Sequence, residues 1–150
     1  MRVLALDIGD KTIGVAASDP LGLTAQGVET IQRTSNKNDL KRLRELVAQF
    51  EAKTFVIGLP KNMDGTEGER CEFVKTFAAK IAAALPNVEQ SFWDERLSTV
   101  AAQRTLIEAD LSRRKRKKVI DKMAAVYILQ GWLDKNQSKL EICSIQEAFT

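Results

Sequence analysis

Two apolar runs open the chain. Val3 to Ile8 and Thr12 to Ser18 read as strands joined by Gly9-Asp10-Lys11, a connection short enough for a hairpin. Their near-continuous apolarity predicts cover on both faces of a sheet. Asp19-Pro20-Leu21-Gly22 has the chemistry of a type I turn, with Asp first, Pro second and Gly last, and it leads into a third strand ending near Ile31. The three form an antiparallel meander.

Beyond the polar segment Thr34 to Asn38, the spacing changes. Leu40, Leu43, Val47 and Phe50 recur at helical intervals with lysines and arginines between them. Phe55-Val56-Ile57 is a short buried strand, and the glycine-rich GLPKNMDGTEGER after it ends in Thr66-Glu67-Gly68-Glu69, a capping box that predicts a helix from about Glu67 to Leu85. Val88 to Trp93 is a fifth strand. Ser98 or Thr99 caps a third helix ending near Asp110, a last helix reaches about Leu133, and residues 136–150 are a tail to which the pattern assigns no element. This order predicts an α/β fold with a five-stranded mixed sheet flanked by helices, its topology restricted by right-handed crossovers. The ribonuclease H-like fold has this order.

A chain of 150 residues that is 44% hydrophobic suits one domain, here 1–135, with a core that needs no stapling. Cys71 and Cys143 are too far apart for a CxxC pair and read as reduced thiols. The absence of histidine removes Ser/His and Cys/His nucleophilic catalysis and any His-ligated zinc site, leaving carboxylates, lysines, arginines and hydroxyls for chemistry. Asp7 interrupts the first apolar run, so no signal peptide is expected, and the uncharged stretch Met123 to Leu133 falls short of the about 20 residues that span a bilayer. A cytoplasmic protein without membrane partners is the expectation.

Asp7 ends the first strand, at the sheet edge where ligand crevices form in open α/β folds. Taken alone, it is equally well explained as an acceptor for the Gly9 to Thr12 turn. Asp94 and Glu95 end the fifth strand and reach the same edge if the strands run parallel, with the pleat sending them to opposite faces. Asp121 heads a helical stripe of Ala124, Ala125, Ile128 and Trp132, where a carboxylate needs a cation or donors; Lys118 is one candidate partner. Three acids on separate elements suit a hard divalent cation such as Mg²⁺ or Mn²⁺, which can activate water for phosphoryl displacement.

The net charge of +3 hides an asymmetry: Arg113, Arg114, Lys115, Arg116, Lys117 and Lys118 form one run, and setting it aside turns the balance to −3. Such a run is either a solvated face or a phosphate-binding patch, and its place beside the Asp121 helix favours nucleic acid. Arg70 falls in the first turn of the second helix, where the macrodipole disfavours a cation and the free amides can hold phosphate, so it joins the substrate-binding candidates. Arg96, beside Glu95, is a further one. The Gly58 to Arg70 loop lacks the GK[ST] ending of a nucleotide-binding P-loop.

Taken together, LDIGDKTIGVAASD, GLPKNMDGTEGER, WDERLST and RKKVIDKMAAVYILQGWLD resemble the YqgF family, the RuvC-like Holliday junction resolvases also described as pre-16S rRNA nucleases, over about residues 1 to 134. The resemblance implies a ribonuclease H-like fold, Asp7, Glu95 and Asp121 as catalytic and metal-binding acids, Mg²⁺- or Mn²⁺-dependent phosphodiester cleavage, and maturation of the 16S rRNA 5′ end on small-subunit precursors. The RuvC resolvases place an acid at the end of the strand after the first helix, where this chain has Gly58-Leu59-Pro60. Glu95 as its substitute would start two strands from Asp7, about 9 to 10 Å away, whereas paired catalytic metals stand about 3.5 to 4 Å apart.

Three alternatives remain open on sequence: cleavage of branched DNA, RNA binding in ribosome assembly without turnover, and phosphotransfer, since DIGDKTIG also resembles the phosphate loop of actin-like and sugar-kinase folds. Those folds close two such domains around ATP, and this chain supplies one.

Overall fold

The computed structural model describes residues 2–62, 64–97 and 123–136. Strands β1 (Arg2–Ile8), β2 (Thr12–Ser18) and β3 (Ala25–Gln32) form the meander. Helix α1 (Asn36–Phe50), β4 (Ala52–Leu59), α2 (Glu69–Ala84) and β5 (Glu89–Asp94) follow, then a 3-10 turn, Glu95–Leu97, and a helix over 123–136. One five-stranded sheet has the order β3-β2-β1-β4-β5; β1 pairs antiparallel with β2 and parallel with β4, and β4 pairs parallel with β5. This is the predicted mixed sheet. The third helix, its Ser98 or Thr99 cap and residues 137–150 of the tail lie outside the described residues, while Asn136 belongs to the helix over 123–136.

Local chemistry sets the boundaries. The Gly22 amide donates to the Asp19 carbonyl at 3.0 Å, closing the expected turn, with Gly22 at φ +72. Ser35 caps α1 by accepting from the Asn38 amide at 3.2 Å, and Glu51, in the left-handed region at φ 52, ends it and turns the chain directly into β4. The capping box expected at Thr66 does not form: Gly68 is the N-cap of α2, with no side-chain hydrogen bond. Thr66 is engaged inside the loop instead. Its hydroxyl donates to Asp64 Oδ1 at 2.6 Å and accepts from Asn62 Nδ2 at 3.0 Å, while its carbonyl accepts from the Asn62 amide at 3.0 Å.

Strand alternation divides the core in two. Leu4, Leu6, Ile8, Ile13, Val15, Phe55, Ile57 and Leu59 face α1 and α2, meeting Leu43, Leu46, Val74, Phe77 and Ile81. Ala5, Ala16, Val56 and Trp93 face the opposite way, onto Ala124, Ala125, Ile128, Leu129 and Leu133 of the helix over 123–136. That helix lies across the whole sheet. Gln130 accepts from the Ala25 amide on β3 at 3.0 Å, and Trp132 Nε1 donates to Ser91 Oγ on β5 at 3.1 Å.

Candidate active site

Because β1, β4 and β5 run parallel, their carboxyl ends arrive at one edge. Asp7 pairs with Gly14 of β2. On its other side, the register Leu6↔Ile57 carried one residue further sets Asp7 beside Gly58, which pairs with Trp93. Alternation puts Asp7 on the same face as Ala5, and Gly58 on the same face as Val56, which is the face covered by the helix over 123–136.

Glu95 reaches this face from the 3-10 turn. A Cβ at Gly58 would stand 2.7 Å from Glu95 Oε1 and 2.6 Å from Ile128 Cδ1. The Glu95 side chain therefore folds back over β4 and fills the space that a side chain at 58 would need. The gap of two strands counted along the backbone shrinks to about one strand spacing, ~5 Å, between this carboxylate and β1. Glycine at 58 is thus a steric requirement of the arrangement, not merely a missing acid.

Carboxylates on one face of adjoining strands suit a hard, oxygen-seeking divalent cation, and Asp7 and Glu95 are the described side chains that would hold one. Among the described residues no group of three or more His, Cys, Asp or Glu side chains is arranged for a metal. Asp121, the third acid of the sequence reading, lies outside the described residues, as do Arg113, Arg114, Lys115, Arg116, Lys117 and Lys118.

Arg70 lies in the first turn of α2, and its Nη1 donates to Asp10 Oδ1 at 2.9 Å, with its guanidinium 5.6 Å from the Phe73 ring centre. It stands next to the turn that follows Asp7. Both side chains of the pair are exposed, and ion pairs of that kind are weak. Arg96 is held more tightly: Nη2 donates to Asp94 Oδ2 at 2.7 Å and Nε to both oxygens at 3.1 Å. The Arg96 hydrogen bond keeps the Asp94 carboxyl below its ordinary range, and the same bond pushes the Arg96 guanidinium up.

One structural device escaped the sequence reading. Arg33 Nε donates to Asp39 Oδ2 at 2.9 Å, its Nη1 donates to the Gly9 carbonyl at 2.8 Å, and its guanidinium lies 4.4 Å from the Phe77 ring centre. Asp39 is 2% exposed. A single arginine thus ties the turn after Asp7 to the start of α1 and the side of α2. The available signal was Arg33 six residues ahead of an acid in the first helical turn, a pattern that also fits ordinary helix-start acids.

The sequence matches the family model described as RuvX: Holliday junction resolvase over residues 1–135. A relative from Clostridium beijerinckii is 56% identical over 134 residues, covering 89% of this chain and 96% of the relative; one from Clostridium botulinum (strain Hall) is 58% identical over 134 residues, covering 89% and 97%. Both carry the name "Putative pre-16S rRNA nuclease". Among solved structures, T. thermophilus RuvC in complex with Holliday junction substrate superposes with a TM-score of 0.59 at 12% identity, covering 91% of this chain and 96% of that one, a likeness of fold.

Proposed function

This chain belongs to the RuvX Holliday junction resolvase family and is a nuclease, and we propose that it cuts precursor 16S rRNA, in maturation of the 5′ end on small-subunit precursors in the cytoplasm. The substrate follows the name carried by relatives more than half identical over nearly their full length. The chemistry rests on one observation: the Glu95 carboxylate lies over Gly58, on the face and near the edge where Asp7 stands at the carboxyl end of β1.

Asp7 and Glu95 would hold one divalent cation or more, Mg²⁺ or Mn²⁺, with Asp121 as the third ligand. When bound, the cation activates water and neutralises charge on the phosphate undergoing displacement. The chain's own groups do the rest. Asp7, on β1, and Glu95, on the 3-10 turn after β5, would hold the cation from elements whose spacing the sheet fixes. Ile128, over Gly58, keeps bulk water from the covered side. The amides and Arg70 at the start of α2 take a flanking phosphate once Asp10 releases the guanidinium. Arg113 to Lys118 contribute a salt-dependent attraction for the backbone of the nucleic acid that is independent of sequence.

Incubation of the protein with precursor 16S rRNA and with a four-way DNA junction, each with Mn²⁺, Mg²⁺ or EDTA, tests this. The expected result is metal-dependent shortening of the RNA 5′ end. Cleavage of the junction with intact RNA would move the substrate to branched DNA. Tight RNA binding with no cleavage under any metal would make the protein an assembly factor.

A further inference from the structure

Glu95 has its two chain neighbours bound to each other. Asp94 Oδ1 accepts from the Arg96 amide at 3.0 Å, so the carboxylate caps the 3-10 turn, while the Arg96 guanidinium returns along the same side to grip both carboxylate oxygens. Residue 95 is the link enclosed by that ring, and its backbone cannot turn without breaking it.

The far end of the guanidinium is also confined. A Cβ at Gly65 would stand 3.3 Å from Arg96 Nη1, and Gly65 is at φ +88, a conformation few other residues adopt. That glycine belongs to the loop closed by Asn62, Asp64 and Thr66, and the Asp64 carboxylate, held low by the Thr66 hydroxyl and amide, adds a second negative charge near Arg96. The loop between β4 and α2 thus packs Arg96 against Asp94, away from any role as a free cation. An ion pair whose arginine is 35% exposed contributes little to stability. What it does fix is direction.

We infer that Asp94 and Arg96 are positioning residues for Glu95, a clamp that holds its carboxylate over Gly58, and that Arg96 is not a phosphate contact. The inference rests on the reading of Glu95 as a catalytic acid, and it revises the substrate-binding role expected for Arg96 from sequence. Lysine keeps the charge at 96 but cannot reproduce the planar fork. Charge alone would serve a phosphate; the clamp needs the fork.

The test compares Asp94→Asn, Arg96→Lys and Arg96→Met, with Glu95→Gln as reference and Glu95→Asp as a weakened background. The readouts are kcat, KM, RNA binding in EDTA and Mn²⁺ affinity of the RNA-free protein. Each clamp variant is expected to lower kcat and Mn²⁺ affinity by about 10- to 100-fold, the scale on which outer residues that orient a metal ligand act, with KM and RNA binding unchanged. Adding Arg96→Lys to Glu95→Asp should cost much less than it does alone, because both act through one carboxylate. Weakened RNA binding in Arg96→Met, with a salt slope reduced by about 1 and kcat preserved, would overturn the clamp in favour of a phosphate contact. Full independent losses in the double variant would overturn it as well. Undiminished cleavage by Glu95→Gln would remove the catalytic reading of Glu95, and the clamp's purpose with it, before any Arg96 result is considered.

Discussion

The two faces of the sheet are built from different residues for different ends. The face under α1 and α2 is filled with Leu, Ile, Val and Phe, and its buried charge, Asp39, is neutralised by Arg33 within the fold. The opposite face mixes Val56, Trp93, Ile128, Leu129 and Leu133 with small groups: Ala5, Gly14, Ala16 and Gly58 on the sheet, and Ala124, Ala125 and Gly131 on the helix above. At Gly131 a Cβ would stand 2.8 Å from Trp93 Cζ2, so the helix rests directly on the sheet. Large side chains maximise buried apolar area, whereas small ones leave volume at the edge for carboxylates. Both faces are packed, but the small residues let the helix over 123–136 approach the sheet closely beside the edge where Asp7 and Glu95 lie.

The largest expected effect separates the two faces. Asp7→Asn should lower metal-dependent cleavage by about 100-fold or more, since a cation's transition-state contribution is several kcal/mol, while leaving the melting temperature of the metal-free protein unchanged or raised. Asp39→Asn should do the reverse. Loss of one partner of a buried ion pair costs about 3 kcal/mol, with cleavage by the folded protein intact. Melting curves and single-turnover cleavage of both variants check this, and a destabilised Asp7→Asn with normal cleavage would return Asp7 to a turn-forming role.

The sheet was legible because its strands alternate or run apolar between recognisable turns, and α1 because Leu40, Leu43, Val47 and Phe50 recur at helical spacing. The acids at the strand ends were legible too, as acids. Their spatial relation was not: a strand count cannot show a side chain folding back from a 3-10 turn over a glycine, as Glu95 does over Gly58. Thr66 misled for a related reason. The S/T-x-x-E pattern names a cap, but Asp64 and Asn62 compete for the same hydroxyl from inside the loop, and the nearer partners win. Arg33 was hard to read because its partners Gly9, Asp39 and Phe77 come from separate parts of the chain.

Gly58→Ala sharpens the contrast between faces with a smaller effect. The added methyl meets Glu95 Oε1 and Ile128 Cδ1, both at the ends of flexible side chains, so the fold can adjust at a cost of about 1 to 3 kcal/mol. The adjustment moves the carboxylate, and displacement of a reacting group by about 1 Å costs up to about 100-fold in rate. Activity should therefore fall well beyond what the loss of stability explains. Cleavage at the normal rate in a folded Gly58→Ala protein would show that Glu95 does not work from this position.

The smallest effect lies in the acid range and belongs to the edge between the faces. Arg96 holds the Asp94 carboxyl below its ordinary value of 3.8, so the folded state binds that proton less readily than the unfolded chain does. The sign follows: the pair contributes its stability fully above 3.8 and loses it as pH falls through the lower folded value. With Arg96 partly exposed, solvent screening keeps this contribution below about 1 kcal/mol. Asp94→Asn should melt slightly below the unaltered protein at pH 6, and the difference should shrink as pH is lowered past 3.8. A gap that persists undiminished at pH values where the carboxylate is protonated would mean that the asparagine disturbs the turn's packing. Its kinetic losses could then not be ascribed to the lost charge between Asp94 and Arg96.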